Sequence, residues 1–263
     1  MLERMDEVLQ HLRKEQPVIL SITNYVSMDF LANCFLALGV SPIMSVSDLE
    51  LDELIKLSSA VYINIGTLDH LFIQRAYRAV DLAERYDKPV IFDPAGSGAT
   101  NIRTEVSHHL LTHATIIRGN ASEILSFGDT PRHRSHGLDA VHTTEDAINM
   151  AQSLANDCRC GCAVAVSGAV DYVTDGERNA TAEYGDPLMS RITGIGCSLT
   201  GVLAAFRAVL EDSFEACRLG MEYFGLCGML ARENAPFPGM FKPLFIDELY
   251  AADFERMRRY YKR

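Results

Sequence analysis

Near the C-terminal third of the chain, Thr193-Gly194-Ile195-Gly196-Cys197-Ser198 places two glycines and a thiol directly before an apolar helical run. The glycines let the backbone approach a ligand closely. Free N–H groups at the helix start point at whatever sits there, and the helix dipole favours an anion. No Gly-Lys-Ser/Thr follows, so this is not a Walker A loop, and the third glycine of a dinucleotide fingerprint is missing. A tight helix entry without any ligand would also use such glycines.

Asp93-Pro94-Ala95-Gly96-Ser97-Gly98 puts a carboxylate at the end of an apolar run, followed by a flexible loop. That arrangement suits Mg²⁺ or a substrate. Glu123 follows Arg118-Gly119-Asn120 and opens the next helix. Two carboxylates at neighbouring strand exits can hold Mg²⁺, mostly through water. Taken alone, Glu123 also reads as an ordinary acid in a first helical turn. Cys158, Cys160 and Cys162 alternate without the two-residue gap of zinc pairs. They read as small residues entering a buried strand rather than as metal ligands.

These groups need elements to hold them. Short apolar runs predict strands over 18–23, 42–46, 61–65, 89–93, 115–117 and 163–167. Helical patterns fall over 30–38, 49–58, 69–86, 103–111, 144–155, 197–210, 214–233 and 243–260. Runs over 172–174 and 180–183 flank Asp175-Gly176, a hairpin signal. Alternating strands and helices, with strands apolar on both faces, predict an α/β fold. Its central sheet is mainly parallel, with helices on both faces and an antiparallel edge hairpin. No linker or repeat divides residues 1–263, so a single domain is expected. The basic run Arg132-His133-Arg134-Ser135-His136 reads as a solvated loop. In open α/β sheets, ligands sit beyond the carboxyl ends of the strands. Thr23-Asn24, Met44, Gly66-Thr67, Asp93, Arg118 and Ser167-Gly168 all fall at such exits.

Composition narrows the function classes. The 263 residues carry a formal charge of −11, with 48% hydrophobic and 22% charged residues. This excludes a disordered chain and argues against a nucleic-acid partner, which favours a basic face. No apolar stretch is long enough to predict a membrane span. The charged opening Met1-Leu2-Glu3-Arg4-Met5-Asp6-Glu7 does not read as a signal peptide. Seven cysteines, an odd number, suggest reduced thiols in the cytoplasm.

The chain resembles the hydroxyethylthiazole kinase family of the ribokinase-like superfamily. The resemblance rests on Thr23-Asn24-Tyr25-Val26, Ala32-Asn33, the stretch 37–44, Asn64-Ile65-Gly66-Thr67-Leu68, the stretch 93–100, Ile117-Arg118-Gly119-Asn120-Ala121-Ser122-Glu123-Ile124, Ser167-Gly168 and Thr193-Gly194-Ile195-Gly196-Cys197. It implies a ribokinase-like fold and ATP-dependent phosphorylation of the hydroxyl of 4-methyl-5-(2-hydroxyethyl)thiazole in thiamine salvage. Mg²⁺ is implied as cofactor, as is a homotrimer with active sites between subunits. Residues 24–44 of one chain are then expected to face the 194–197 loop of a neighbour. The apolar helix carrying Ala32, Cys34 and Phe35 would supply the subunit contact.

By position, the resemblance assigns Met44 and Gly194 to the thiazole, and Asn24 and Cys197 to the neighbourhood of its alcohol. Arg118, Asn120 and Ser167 fall to ATP, and Asp93 and Glu123 to Mg²⁺ and phosphates. Amides of Gly194, Gly196 and Cys197 would bind the moving phosphoryl group. Cys197, at a helix start, is expected to have a lowered pKa, either acting as base or orienting the alcohol. Ser167 stands where Thr is common, Asp186 where His is common, and Ile195 where Thr is frequent. Two other classes on the same fold remain open: kinases of other small alcohols, and dehydratases of hydrated nicotinamide nucleotides. Both favour Asp at the position of Cys197.

Overall fold

Strand residues alternate between two apolar layers, and this period of two builds the molecule. Ile19, Tyr62, Ile91, Ile116 and Ala165 face one core. Their chain neighbours Leu20, Ile63, Phe92, Ile117 and Val166 face the other. A sheet buried on both faces must be covered by helices on both sides. The computed structural model describes residues 1–128, 142–158 and 161–261.

Among the described residues the strands are β1 (Val18–Ile22), β2 (Ser41–Met44), β3 (Ala60–Asn64), β4 (Val90–Asp93), β5 (Ile116–Asn120), β6 (Ala163–Ser167), β7 (Asp171–Thr174) and β8 (Asn179–Ala182). They form one sheet in the order β2-β1-β3-β4-β5-β6-β7-β8. All pairs from β2 to β6 are parallel. The pairs β6–β7 and β7–β8 are antiparallel, closing the expected edge hairpin.

The helices are α1 (Leu2–Glu15), α2 (Met28–Leu38), α3 (Leu51–Leu57), α4 (His70–Arg85), α5 (Asn101–Leu111), α6 (Ala121–Leu125), α7 (Thr144–Asp157), α8 (Ile195–Arg207), α9 (Ser213–Asn234), α10 (Pro238–Ala251) and α11 (Phe254–Met257). Residues from α1, α2, α8, α9 and α10 fill the first core. Residues from α3 to α7 fill the second. No helix among the described residues is long and apolar enough to cross a membrane.

Several local expectations change. The charged opening segment belongs to α1, whose Leu2, Met5, Val8, Leu9 and Leu12 form a buried stripe. The helix expected over 243–260 starts earlier, at Pro238, and breaks at Ala252, which has a left-handed φ of 48°. The helix expected from Cys197 begins at Ile195. The α2 helix does not offer a subunit surface through Cys34 and Phe35. Both are buried in their own chain's core, and a Cβ on Gly201 of α8 would meet Leu31 and Phe35 directly. Cys162 is buried just before β6, as a small residue entering a strand, and Cys158 caps α7. Cys160 and the 132–136 run lie outside the described residues.

Candidate functional site

The carboxyl ends of the parallel strands converge on the start of α8. Its N-cap, Gly194, has a φ of 88° and no side-chain cap, a conformation that strains any residue with a Cβ. A Cβ there would also sit 2.9 Å from Cβ of Ser27. The Ile195 N–H is taken by the Ile192 carbonyl and the Ser198 N–H by that of Gly194. Helix geometry leaves the N–H groups of Gly196 and Cys197 without intrahelical acceptors.

Around the Cys197 sulfur, two amides converge. Asn24 Nδ2 and Asn64 Nδ2 each donate to Sγ at 3.3 Å. Asn24 Nδ2 also donates to Asn64 Oδ1 at 2.8 Å, and Asn64 Oδ1 accepts the Gly66 N–H at 2.9 Å. The backbone N–H and hydroxyl of Ser27 both donate to Asn24 Oδ1 at 2.9 Å. Every polar atom of the two amides is therefore directed, and the sulfur is held as an acceptor. The sequence alone assigns Asn64 no role. Its position at the end of β3 was the available signal.

Cys197 does not have the lowered pKa expected of a thiol at a helix start. Burial pushes it up, and the Asp93 carboxylate adds to the rise, outweighing the hydrogen bonds and Arg118 that oppose it. Desolvation disfavours the charged thiolate. At neutral pH the group is a thiol, which suits orienting an alcohol better than deprotonating it.

Asp93 ends β4 and is buried, rather than modestly exposed as a strand-exit residue would be. Its Oδ2 accepts from Thr200 Oγ1 of α8 at 2.8 Å and lies 3.9 Å from Arg118 Nη1. Tyr62 OH links the two halves, donating to the Cys197 carbonyl at 3.2 Å and facing Asp93 Oδ2 at 3.5 Å. Burial raises the Asp93 pKa, while Arg118 and the Thr200 hydroxyl hold it down.

Glu123 forms a capping box with Asn120. Asn120 Oδ1 accepts the Glu123 N–H at 3.0 Å, and Glu123 Oε2 accepts the Asn120 N–H at 2.8 Å. Oε1 accepts the Gly96 N–H at 2.9 Å. Glu123 is thus more than a first-turn acid, since it ties the loop after β4 to the start of α6. Burial, and then the charge of Asp93, push it up to about 7. Asn120 serves this cap through its Oδ1, so part of its side chain is already engaged.

Among the described residues, no group of three or more His, Cys, Asp or Glu forms a ready metal cage. Mg²⁺ does not need one, because it keeps several waters and takes one or two carboxylates plus substrate phosphates. Asp93 and Glu123 repel one another electrostatically, and Arg118 is the cation they share. Their donor chemistry therefore fits a divalent ion bound largely through water.

Beside this cluster lies a cavity of about 520 Å³, lined by Arg118, Ser167, Gly168, Ile195, Gly196, Leu199 and the 183–187 segment. Arg118 donates to the Ser167 hydroxyl. A Cβ on Gly196 would lie 2.9 Å from Arg118 Nη1, so glycine is what lets the guanidinium approach the helix start. Asp186 lines the same cavity and lies 3.6 Å from Arg232 Nε. Met44 is not gathered into the cluster. It ends the edge strand β2, one strand further out than Asn24, and is half-buried.

A model of the hydroxyethylthiazole kinase family matches residues 9–255. The chain belongs to the hydroxyethylthiazole kinase family. Its resemblance to a relative in the family, hydroxyethylthiazole kinase of Chlamydia felis, is 76% identity over 261 residues, covering 99% of both chains. A solved family structure, hydroxyethylthiazole kinase from Pyrococcus horikoshii, superposes with a TM-score of 0.88 at 35% identity, covering 99% of this chain and 98% of that one. A ribokinase-like superfamily protein of Enterococcus faecalis matches with a TM-score of 0.66 at 12% identity, covering 97% and 94% of the two chains. That similarity speaks for the fold alone, which is ribokinase-like.

One expectation drawn from the resemblance is corrected here. Asn24 and Ser27 meet Cys197 and Gly194 within a single chain. Asn24, Ser27 and Phe30 therefore lie against the Gly194–Cys197 loop of their own chain.

Proposed function

We propose that the chain transfers the γ-phosphoryl group of ATP to the hydroxyl of 4-methyl-5-(2-hydroxyethyl)thiazole, with Mg²⁺, as a thiamine-salvage enzyme of the cytoplasm. The observation that carries this is the Cys197 sulfur, fixed by two asparagine amides beside the open helix start of α8 and the Asp93 carboxylate. Family membership selects the alcohol.

Phosphoryl transfer passes through a loose transition state, so positioning and charge stabilisation dominate. In this reading the Asn24–Asn64–Cys197 cluster orients the alcohol oxygen. The N–H groups of Gly194, Gly196 and Cys197 receive the phosphoryl oxygens. Arg118 and Ser167, which line the cavity, hold the nucleotide phosphates. Asp93 and Glu123 would hold Mg²⁺, which when bound supplies positive charge to the phosphate oxygens.

The whole chain acts as one catalytic domain in this reading, supported by the single continuous sheet. A homotrimer remains the proposed assembly, with a neighbour's contribution confined to the region of Met44. Support comes from exposed apolar side chains at the exits of β1 and β2, namely Tyr25, Val26, Val46 and Leu49. Sedimentation giving a fully active monomer would reject the shared site.

The decisive assay is ADP release from MgATP with a panel of alcohols. Turnover is expected with the thiazole alcohol. Background rates with it, alongside turnover of a sugar, pyridoxal or a pyrimidine alcohol, would overturn the assignment.

A further inference from the structure

Arg103 stands in the first turn of α5, where the helix dipole disfavours a cation. Burial also lowers its pKa, and Glu123 is the charge that opposes this fall. A residue that breaks a local rule in this way marks a site where something else is gained. The gain is visible in its hydrogen bonds. Nη1 donates to the carbonyls of Ile65 and Ala95, each at 2.7 Å, and Nη2 donates to the Gly66 carbonyl at 2.9 Å.

These three carbonyls lie just past the end of the sheet. The β3–β4 ladder closes with Asn64 opposite Asp93. Beyond it the two exits enter separate loops, and the Arg103 guanidinium spans them. On one side, Gly66 holds Asn64 Oδ1, and Asn64 holds Cys197. On the other, Ala95 precedes Gly96, whose N–H holds Glu123 Oε1. The planar guanidinium offers donors in a fixed fork that can serve several acceptors at once.

We propose that Arg103 is a positioning residue that clamps the β3 and β4 exits together. The clamp holds the Asn64–Cys197 contact and the Asp93–Glu123 pair at one separation, so that the alcohol and the phosphoryl group meet in register. The proposal rests on the kinase function above. Arg103 acts through the carbonyls of Ile65, Gly66 and Ala95. Misplacing reacting groups by about 1 Å from a remote site can cost ~10²-fold in rate.

The test uses Arg103→Lys and Arg103→Ala in the full chain. Lysine keeps the charge and the stem but is a point donor that cannot span three carbonyls. Arg103→Lys is expected to lower kcat roughly 10²-fold, with KM for both substrates within about threefold of the parent. Hydrogen exchange of the unliganded protein should rise over 64–67 and 95–98 and stay unchanged in β5 and β6. Millimolar guanidinium should restore part of the Arg103→Ala rate, and methylammonium should not. A kcat within about threefold of the parent overturns the clamp. So does a rate loss that guanidinium leaves untouched and that tracks a general rise in exchange. Failure of the parent protein to turn over the thiazole alcohol would instead reject the assigned substrate. The exchange pattern, measured without substrate, tests the clamp either way.

Discussion

Asn64 and Cys197 are 133 positions apart in the chain, yet the Asn64 amide donates to the Cys197 sulfur at 3.3 Å. Asn24 supplies a second amide at the same distance. The sulfur therefore sits in a socket built for an acceptor, and a carboxylate is a better acceptor than a thiol.

Cys197→Asp is accordingly expected to keep or raise kcat, and Cys197→Ala to lower it only moderately. Asp is also well suited to a helix start. The opposing term is Asp93, which already pushes the thiol pKa up and would repel a second carboxylate. Steady-state kinetics on both variants separates these terms. A drop of ~10²–10⁴-fold in a folded Cys197→Asp protein would mean that sulfur or neutrality is required.

The two acids should respond differently. Asp93→Asn keeps an acceptor for Thr200 and removes a buried charge, so the melting temperature should change little while kcat falls on the order of 10²-fold. Glu123→Ala opens a capping box and frees the Gly96 N–H, so it should lower stability by about 1–2 kcal/mol as well as turnover. Thermal melts beside kinetics check both, and an unchanged kcat in Asp93→Asn would show that its charge is not used.

Gly196→Ala tests the approach of Arg118. The added methyl would press on Nη1 at 2.9 Å, which is the end of a flexible side chain, so the fold should survive. Alanine is the better helix former by about 1 kcal/mol. The expected result is an unchanged or raised melting temperature with KM for ATP raised roughly tenfold or more. Unchanged nucleotide affinity would remove Arg118 from the phosphate site.

Asp171 gives a pH signature. Burial, opposed by the Gly168 N–H and by Arg118, pushes its carboxyl up to about 7. The folded protein thus holds a proton that the unfolded chain releases near pH ~4. Stability falls on this account as pH rises from about 4, and stops falling above about 7. Asp171→Asn removes the effect. The difference in melting temperature, variant minus parent, should grow from pH 5 to 7 and level off by pH 8. A pH-independent difference would mean that the carboxyl titrates in its ordinary range.

Strand and helix order, the edge hairpin and the polar strand exits were all legible in the sequence. They follow from local periodicity and from residue types that each segment carries alone. Gly194, Gly196, Asp93 and Glu123 stood out for the same reason, since a glycine pair before a helix and an acid after a strand are local patterns. Helix α1 is masked in the sequence because its stripe of Leu2, Met5, Val8, Leu9 and Leu12 is set among charges that dominate the composition of that segment. What the tertiary structure alone decided concerns distances between segments far apart in the chain. Asn64 became part of the site by reaching Cys197, and Arg103 became a clamp by reaching Ile65, 38 positions away. The direction of the Cys197 pKa was also decided there, because desolvation and a neighbouring carboxylate depend on what surrounds the thiol, whereas the helix start that suggested the opposite is local. The same holds for α2, whose apolar face meets α8 of its own chain. An apolar stripe announces that it will be covered, and only packing determines by what.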